Sequence, residues 1–478
     1  MKKPGLALSI TLIVILVSLL SLCVIIFGDE VSSGPAQTTL LLVSVIISLI
    51  AMLHLKVPWS SIEEAIGYNL YKTGPTMLIL LAIGALTATW MLSGIVPTMI
   101  CYGLKIISPR IFIAITFVLC CLVSTLAGSS WTTIGTIGVA MLTAGKIVGM
   151  PMGWMAGAII SGAYLGDKLS PLSDTVNLAA SIAGSNLYIH VKYSLYTAIP
   201  AFVMCLAVFL IVGMVHPAAS SIDMATQSEA LQSIFYISPW LLLIPVVTIF
   251  MVVKKIPAFI TLFISALFAG IVSFLVQDEI ISIICGESRG FGVFLQSIFR
   301  MMSSPVFIST GNSLVDHLAS TSGMYGMVNT IWLIICIMTT GGILSASGIL
   351  DTITEKLVSV IKSSTSLVVT TICTCIVSNM VLADQYMAIL LPGNMFSDTY
   401  KKMGYAPEVL SRAIGDSATV SSVLVPWNTC AVAQSTVLGI ATVDYFPYSI
   451  FCFITPLISI ALVAFNVNIH RIENRQMM

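Results

Sequence analysis

Gly166-Asp167-Lys168-Leu169-Ser170-Pro171-Leu172-Ser173-Asp174-Thr175-Val176-Asn177 is a polar string set inside a very apolar chain. A second string, Gly415-Asp416-Ser417-Ala418-Thr419 running on to Pro426-Trp427-Asn428-Thr429, repeats its plan. Each begins Gly-Asp, passes through hydroxyls and a proline, and reaches an asparagine near its close. An ionised side chain at the centre of a bilayer costs roughly 3 kcal/mol on insertion scales. Such residues need a reason to be there. Their paired occurrence in the two halves of a membrane chain is the signature of a transport site built from two broken helices.

Composition supports the membrane setting. Of 478 residues, 58% are hydrophobic and 8% charged, where a soluble domain carries about 25% charged residues. Mean hydropathy is +1.05. The net charge of zero offers no basic field for nucleic acid. Met1-Lys2-Lys3 and the apolar run to Phe27 exceed a signal-peptide core of about 7–15 residues and lack a cleavage site, so they read as a first span with a cytoplasmic N-terminus. The eleven cysteines include no CxxC pair and behave as small apolar residues. The five histidines (His54, His190, His216, His317, His470) are scattered near span ends, which argues against a histidine metal site.

The expected fold is an all-α polytopic membrane protein with about 11–13 membrane-embedded helical segments. Spans are predicted at 6–27, 38–55, 75–101, 110–127, 189–215, 233–253, 256–276, 325–348, 366–382 and 448–467. Broken helices or re-entrant hairpins are predicted at 128–149, 153–182, 384–400 and 408–440, where Gly, Pro, Ser and Asp fall at membrane depth. Segment 291–310 reads equally as a span or a surface helix, and 56–74 as an amphipathic surface helix carrying solvated Glu63 and Glu64. Lys2-Lys3, Lys56 with Lys72, Lys254-Lys255, and Arg471 with Arg475 mark the cytoplasmic side; 28–37 and 216–232, without Lys or Arg, face out.

An internal repeat is expected. Ser93-Gly94-Ile95 matches Ser347-Gly348-Ile349 at an offset of 348 − 94 = 254, and Ser129-Ser130-Trp131 then falls on Ala383-Asp384-Gln385. The Gly-Asp pairs lie at 416 − 167 = 249 and the asparagines at 428 − 177 = 251. The charge pattern puts the ends of the two units on opposite faces, so the repeats are inverted. The single transporter domain divides into a first repeat at 56–215, connecting spans at 216–309 and a second repeat at 310–447.

The polar strings have oxygen chemistry. Asp167, Ser170, Asp174 and Asn177 would share one face of a continuous helix. Pro171 blocks the carbonyl four residues back, so the helix is expected to open at Asp167, and Pro426 is expected to do the same at Ser422, near Thr419 and Asn428. Such clusters suit sodium. Desolvation favours a protonated Asp and a bound cation favours the ionised form, so one carboxylate can exchange the two. Asp167, Asp174, Asp384 and Asp416 are the candidates, with sodium placed at Asp167 and Asp416. Asp174 is the one most readily explained as a helix cap. Lys168 either snorkels to the interface or balances Asp167 or Asp174. Ser129, Ser130, Thr132, Asn379, Ser417 and Thr429 are supporting polar groups.

The chain resembles the NhaC-type sodium/proton antiporter family of bacterial inner membranes, which also contains malate/lactate antiporters. The likeness is carried by Gly128-Ser129-Ser130-Trp131, by Gly162 through Asp174, by Ala383-Asp384-Gln385-Tyr386 with Leu391-Pro392-Gly393, and by Asp416 through Cys430. It implies coupled exchange of sodium and protons by alternating access, in a fold of inverted repeats. One departure is Gly415, where the family often has an acidic residue.

The leading expectation is therefore a sodium/proton antiporter without a cofactor. The runner-up exchanges small carboxylates such as malate and lactate, which half-helix N-termini can cradle without Arg. Expected partners are sodium, protons and membrane lipid, a small carboxylate under the second reading, and a second copy of the chain as a further candidate. An intramembrane aspartyl protease is disfavoured because Tyr164, two before Gly166, breaks the G-x-G-D string. A passive channel is disfavoured because no symmetric pore ring is apparent.

Overall fold

The computed structural model describes residues 3–106, 108–215, 231–286, 290–308, 316, 319–358 and 363–472. The expected outward segment 216–232 therefore lies almost wholly outside the described residues, as do His216, His317 and Arg475. Among the described residues there is no β-strand, and two isolated bridges pair Val306 with Thr321 and Tyr405 with Arg471.

The helices follow in chain order. α1 is Leu6–Phe27, α2 Pro35–Leu53, α3 Trp59–Leu92, α4 Ile95–Ile106 and α5 Phe112–Ala127. After a break come the short α6 (Ser130–Thr133), a π-helical stretch Ile134–Gly138, and α7 (Val139–Ile147). α8 (Met152–Leu169) and α9 (Asp174–Ala183) flank the first polar string, and α10 is Leu187–Val215. α11 (Leu243–Val253), α12 (Ala258–Val276), α13 (Asp278–Cys285) and α14 (Phe291–Ser303) connect the halves. The second half holds α15 (Val328–Ala346), α16 (Ile349–Val358), α17 (Ser364–Val381) and α18 (Gln385–Lys402). It continues with α19 (Pro407–Gly415), α20 (Ala418–Ser421), α21 (Thr429–Leu438), α22 (Thr442–Tyr445) and α23 (Ile450–Ala464).

Seven helical segments among the described residues are long and apolar enough to cross a membrane, and a pair bent by 50° at Thr442–Tyr448 and Ile450–Ala464 adds an eighth. Three expectations change. The surface helix expected at 56–74 is continuous with the next span, giving a 34-residue α3 with Pro75 inside it. At 1.5 Å per residue this helix is about 51 Å long, well beyond a hydrocarbon core of about 30 Å. Segment 291–310 forms the 13-residue α14, too short to cross. Segment 384–400 is a regular helix that carries Pro392 within it.

α8 is packed unusually closely. Gly162 and Gly166 have no room for a side chain: a Cβ would sit 2.3 Å from the Phe117 and Cys121 carbonyl oxygens of α5. Gly157 meets the Tyr448 backbone on another side, also at 2.3 Å. Small residues four apart let membrane helices touch backbone to backbone. The Ser124 hydroxyl clamps the same seam by donating to the Ala163 carbonyl at 2.6 Å. Asp167, one residue beyond Gly166, is thereby fixed against the C-terminal end of α5.

Left-handed backbone recurs through the chain at a constant interval. Gly94 and Gly348 have φ of 80° and 67°, 254 residues apart. Gly128 and Ala383, Gly149 and Gly404, and Gly184 and Gly439 are each 255 apart, with φ between 54° and 76°. These residues end helices, where a positive φ turns the chain out of the helix.

Candidate functional site

α8 ends with Ser170 in extended backbone, and α9 begins after Ser173, whose hydroxyl accepts from the Val176 amide at 3.4 Å. Pro171 ends the helix, as the sequence predicts. The freed carbonyl is recaptured, however: Ser170 N–H donates to the Asp167 carbonyl at 3.1 Å. The same turn stands 255 residues on, where Val425 N–H donates to the Ser422 carbonyl at 3.4 Å. The structural counterpart of Asp167 is therefore Ser422, whereas the Gly-Asp pairing expected it at Asp416. α19 stops at Gly415, well before the second break, which throws the two Gly-Asp pairs out of register.

The first break meets a second one. α5 ends at Gly128, and Ser129 caps α6, its hydroxyl accepting from the Thr132 amide at 3.2 Å. The Thr132 hydroxyl also donates to Ser129 Oγ at 3.1 Å. Ser130 Oγ donates to Asp167 Oδ2 at 3.0 Å, while Asp167 Oδ1 has no hydrogen-bond partner. The carboxyl is 8% exposed. It lies in the wall of a cavity of about 310 Å³ whose polar lining includes Thr76, Ser129, Ser130, Thr132, Ser173, Asp174, Gln385 and Lys255. The Cβ of any residue at Gly128 would sit 2.7 Å from Leu172, so the two breaks touch through backbone.

Of the first string, only part reaches this cavity. Asp174 lines it at the first turn of α9 and is exposed. Ser170 is fully buried beneath the turn, its hydroxyl accepting from the Leu172 amide at 3.3 Å. Asn177 is exposed and ties the turn down, donating to the carbonyls of Pro171 at 3.1 Å and Ser173 at 2.8 Å. The single shared face expected for Asp167, Ser170, Asp174 and Asn177 does not exist, because the chain leaves the helix at Ser170.

The second pair of breaks is hydrogen-bonded throughout. Asp384 caps α18, with Oδ1 accepting from the Met387 amide at 2.9 Å and Oδ2 from the Thr429 hydroxyl at 3.3 Å. Asn428 caps α21 through the Cys430 amide at 3.0 Å and donates to Asn379 Oδ1 at 3.2 Å. Asn379 in turn donates to the Ala418 carbonyl at 2.7 Å and to Ser421 Oγ at 2.9 Å. The Ser417 and Thr419 hydroxyls bond the carbonyls of Ala413 and Gly415, four residues back on their own helix. Pro426 lines a separate cavity of about 690 Å³ with Gly28, Met152, Thr436 and Asp444.

Asp416 stands apart from the first cavity, in a fully buried charged group. It is ion-paired with Lys168, and its Oδ1 accepts from the Thr197 hydroxyl at 2.9 Å. Arg412 Nε lies 3.8 Å from its other oxygen. The partner of Lys168 is thus Asp416, where the sequence reading offered the interface, Asp167 or Asp174. Consecutive helix residues point about 100° apart, so Asp167 faces the cavity while Lys168 faces α10 and α19. Sequence reasoning missed Thr197, His190, Glu408 and Arg412. The available signal was Glu408, Ser411, Arg412 and Asp416 at i, i+3, i+4 and i+8, a polar stripe in a membrane segment.

Comparison with known proteins agrees with this architecture. Residues 162–467 match the model of the Na+/H+ antiporter family. The Na(+)/H(+) antiporter NhaC of Alkalihalophilus pseudofirmus is 34% identical over 420 residues, covering 88% of each chain. The chain belongs to the Na+/H+ antiporter family. Other relatives of this antiporter carry different solutes in their names. The malate-2H(+)/Na(+)-lactate antiporter of Bacillus subtilis is 31% identical, over 87% of this chain and 86% of that one. The arginine/ornithine antiporter ArcD of Halobacterium salinarum is 29% identical, over 96% of this chain and 92% of that one. The antiporter is a multi-span transporter and not an enzyme.

Proposed function

We propose that this antiporter exchanges sodium for protons across the bacterial inner membrane, with Asp167 binding the two in turn. The observation that carries the reading is the Asp167 carboxyl: one oxygen held by Ser130, the other without a partner, in the wall of a hydroxyl-lined cavity. A hard cation is served by carboxylate and hydroxyl oxygens of this kind. Ser129, Ser130, Thr132 and Ser173 are the neutral oxygens at hand, and Asp174 adds negative potential at the entrance. Protonation of Asp167 removes the charge that holds the cation, so occupancy by one ion excludes the other.

Asp416 is left out of the sodium site because Lys168 and Arg412 flank it. Asp384 acts as a prop for the second hairpin, since each of its oxygens already accepts a hydrogen bond. Lys255 at the cavity rim supports a cytoplasmic opening, because cytoplasmic loops collect basic residues. The second cavity, walled by the α1–α2 connection and the segment after α21, suits access from the other face. The turns repeated 255 residues apart support inverted repeats around a central site and alternating access.

A second reading is sodium- and proton-linked exchange of a small carboxylate. Lys255 and the N-terminus of α9 share the first cavity, which has room for such a solute. Both readings are tested in liposomes with an acidic interior and an internal pH dye, with sodium added outside. Alkalinisation on sodium alone supports cation/proton exchange. A response only when malate or lactate is present supports the carboxylate reading.

A further inference from the structure

Where α10 packs along α19, the seam between them is polar. α10 contributes His190, Tyr193, Ser194 and Thr197; α19 and its C-cap contribute Glu408, Ser411, Arg412 and Asp416. All eight are at most 2% exposed. Apolar residues would pack two helices at least as well, since buried polar and charged groups are costly unless fully paired. Here pairing is incomplete: His190 Nε2 and Ser194 Oγ are buried without hydrogen-bond partners.

The seam has an inner and an outer end. At the inner end Thr197 bonds Asp416 at 2.9 Å and accepts from Lys168 Nζ at 2.9 Å. In the middle His190 Nδ1 and Ser411 Oγ share a hydrogen bond of 2.8 Å. At the outer end Glu408 Oε1 lies 3.0 Å from Nδ1 of His470, whose side chain is 35% exposed. The His470 ring lies 4.5 Å from that of Tyr193, and the Arg412 guanidinium covers the same tyrosine at 4.1 Å. The chain around His470 is pinned by Ala406 N–H donating to the His470 carbonyl at 3.0 Å and by Tyr193 OH donating to the Asn468 carbonyl at 2.8 Å. Tyr400 of α18 faces Arg412 and Tyr193, and Cys375 of α17 stands beside Ser417. Arg471 follows at the exposed end, on the basic face.

We propose that this seam conducts protons between the basic face and Asp416, with His470 and Glu408 as its port, separately from the cavity that admits sodium to Asp167. The inference rests on the exchange reading above. A proton taken up by the His470 ring passes to the Glu408 carboxylate and inward over imidazole and hydroxyl groups; the reverse sequence releases it. Lys168 and Arg412 give the row its selectivity, because two buried positive charges repel a metal cation. Lys168 also connects the two routes, since it pairs with Asp416 and follows Asp167 in the chain.

The test compares two fluxes in the same proteoliposomes: sodium-driven proton movement, and exchange of radiolabelled sodium for unlabelled sodium, which needs no net proton transfer. H470A and H470Q should slow proton-coupled flux about tenfold or more while sodium/sodium exchange stays within about twofold. Millimolar imidazole should restore proton flux in H470A, and E408Q should be slow but resistant to that rescue. Unchanged proton flux in both His470 variants, or equal slowing of both exchanges without imidazole rescue, overturns the port. Absence of sodium-driven proton flux in the unaltered protein overturns the exchange reading and the port together.

Discussion

The Lys168–Asp416–Arg412 group makes an asymmetric prediction about stability. Asp416 is the only carboxylate that these two buried cations share, although Glu408 lies two turns before it on α19. In D416N, Lys168 loses its counter-charge and Arg412 loses its nearest one. Breaking a buried pair in this way costs about 3–5 kcal/mol. K168M is milder, because Asp416 keeps the Thr197 hydroxyl at 2.9 Å and Arg412 at 3.8 Å. Charges at that second distance attract by roughly 4 kcal/mol at an effective dielectric of about 20, before desolvation. K168M should therefore cost only about 1.5–3 kcal/mol, the value of one lost charge-assisted bond. The double variant K168M/D416N removes one orphaned cation and should be more stable than D416N. Thermal unfolding of the detergent-purified variants ranks them: unaltered protein, K168M, the double variant, D416N. Equal losses in the two single variants, or a double variant at the sum of both, would refute the pairing.

Other variants probe the remaining parts. D167N should abolish sodium-driven proton flux in liposomes while leaving the protein folded, and near-normal exchange would remove Asp167 as the carrier. S130A should raise the half-saturating sodium concentration about tenfold, equivalent to roughly 1.4 kcal/mol for a bond to a charged group, with the maximal rate retained. G166A places a methyl 2.3 Å from the Cys121 carbonyl and should cost at least about 1–3 kcal/mol, seen as a lower unfolding temperature and poor recovery of monodisperse protein. T76C should react with a membrane-impermeant thiol reagent from the cytoplasmic side only, in a background lacking the exposed Cys373, and labelling from the opposite side would contradict the assigned opening.

Hydropathy made the spans legible because lipid imposes a length and a composition on each helix. Pro171 likewise marked the end of α8, since a missing amide acts locally. Spacing failed where the two halves differ in backbone course. The Gly-Asp strings suggested an offset of 416 − 167 = 249, whereas the turns themselves repeat at 255. The site divided along the same line. Asp167 was recognisable from its break, and its hydroxyl neighbours Ser129 and Ser130 from their own. The partner of Lys168 lies 248 residues away and is set only by the packing of α8 against α19's C-cap. Glu408 and Arg412 escaped notice because an average over a window hides which face of a helix a charge occupies. The carbonyls expected to open at the prolines were instead taken up by amides three residues on, an outcome fixed by the turn and not by the proline.

The glycine contacts of α8 bear on what can move. Where Gly162 and Gly166 meet α5, no side-chain layer separates the two helices. Sliding one past the other would drive carbonyl oxygens into the neighbouring backbone. α5 and α8 are thus welded into a single rod, and Asp167 is mounted on its end. Any rearrangement that exposes Asp167 to the opposite face must carry this rod whole or move other elements around it. The bending has to fall on the left-handed turns at Gly128, Gly149 and Gly184, which serve as the joints of the assembly.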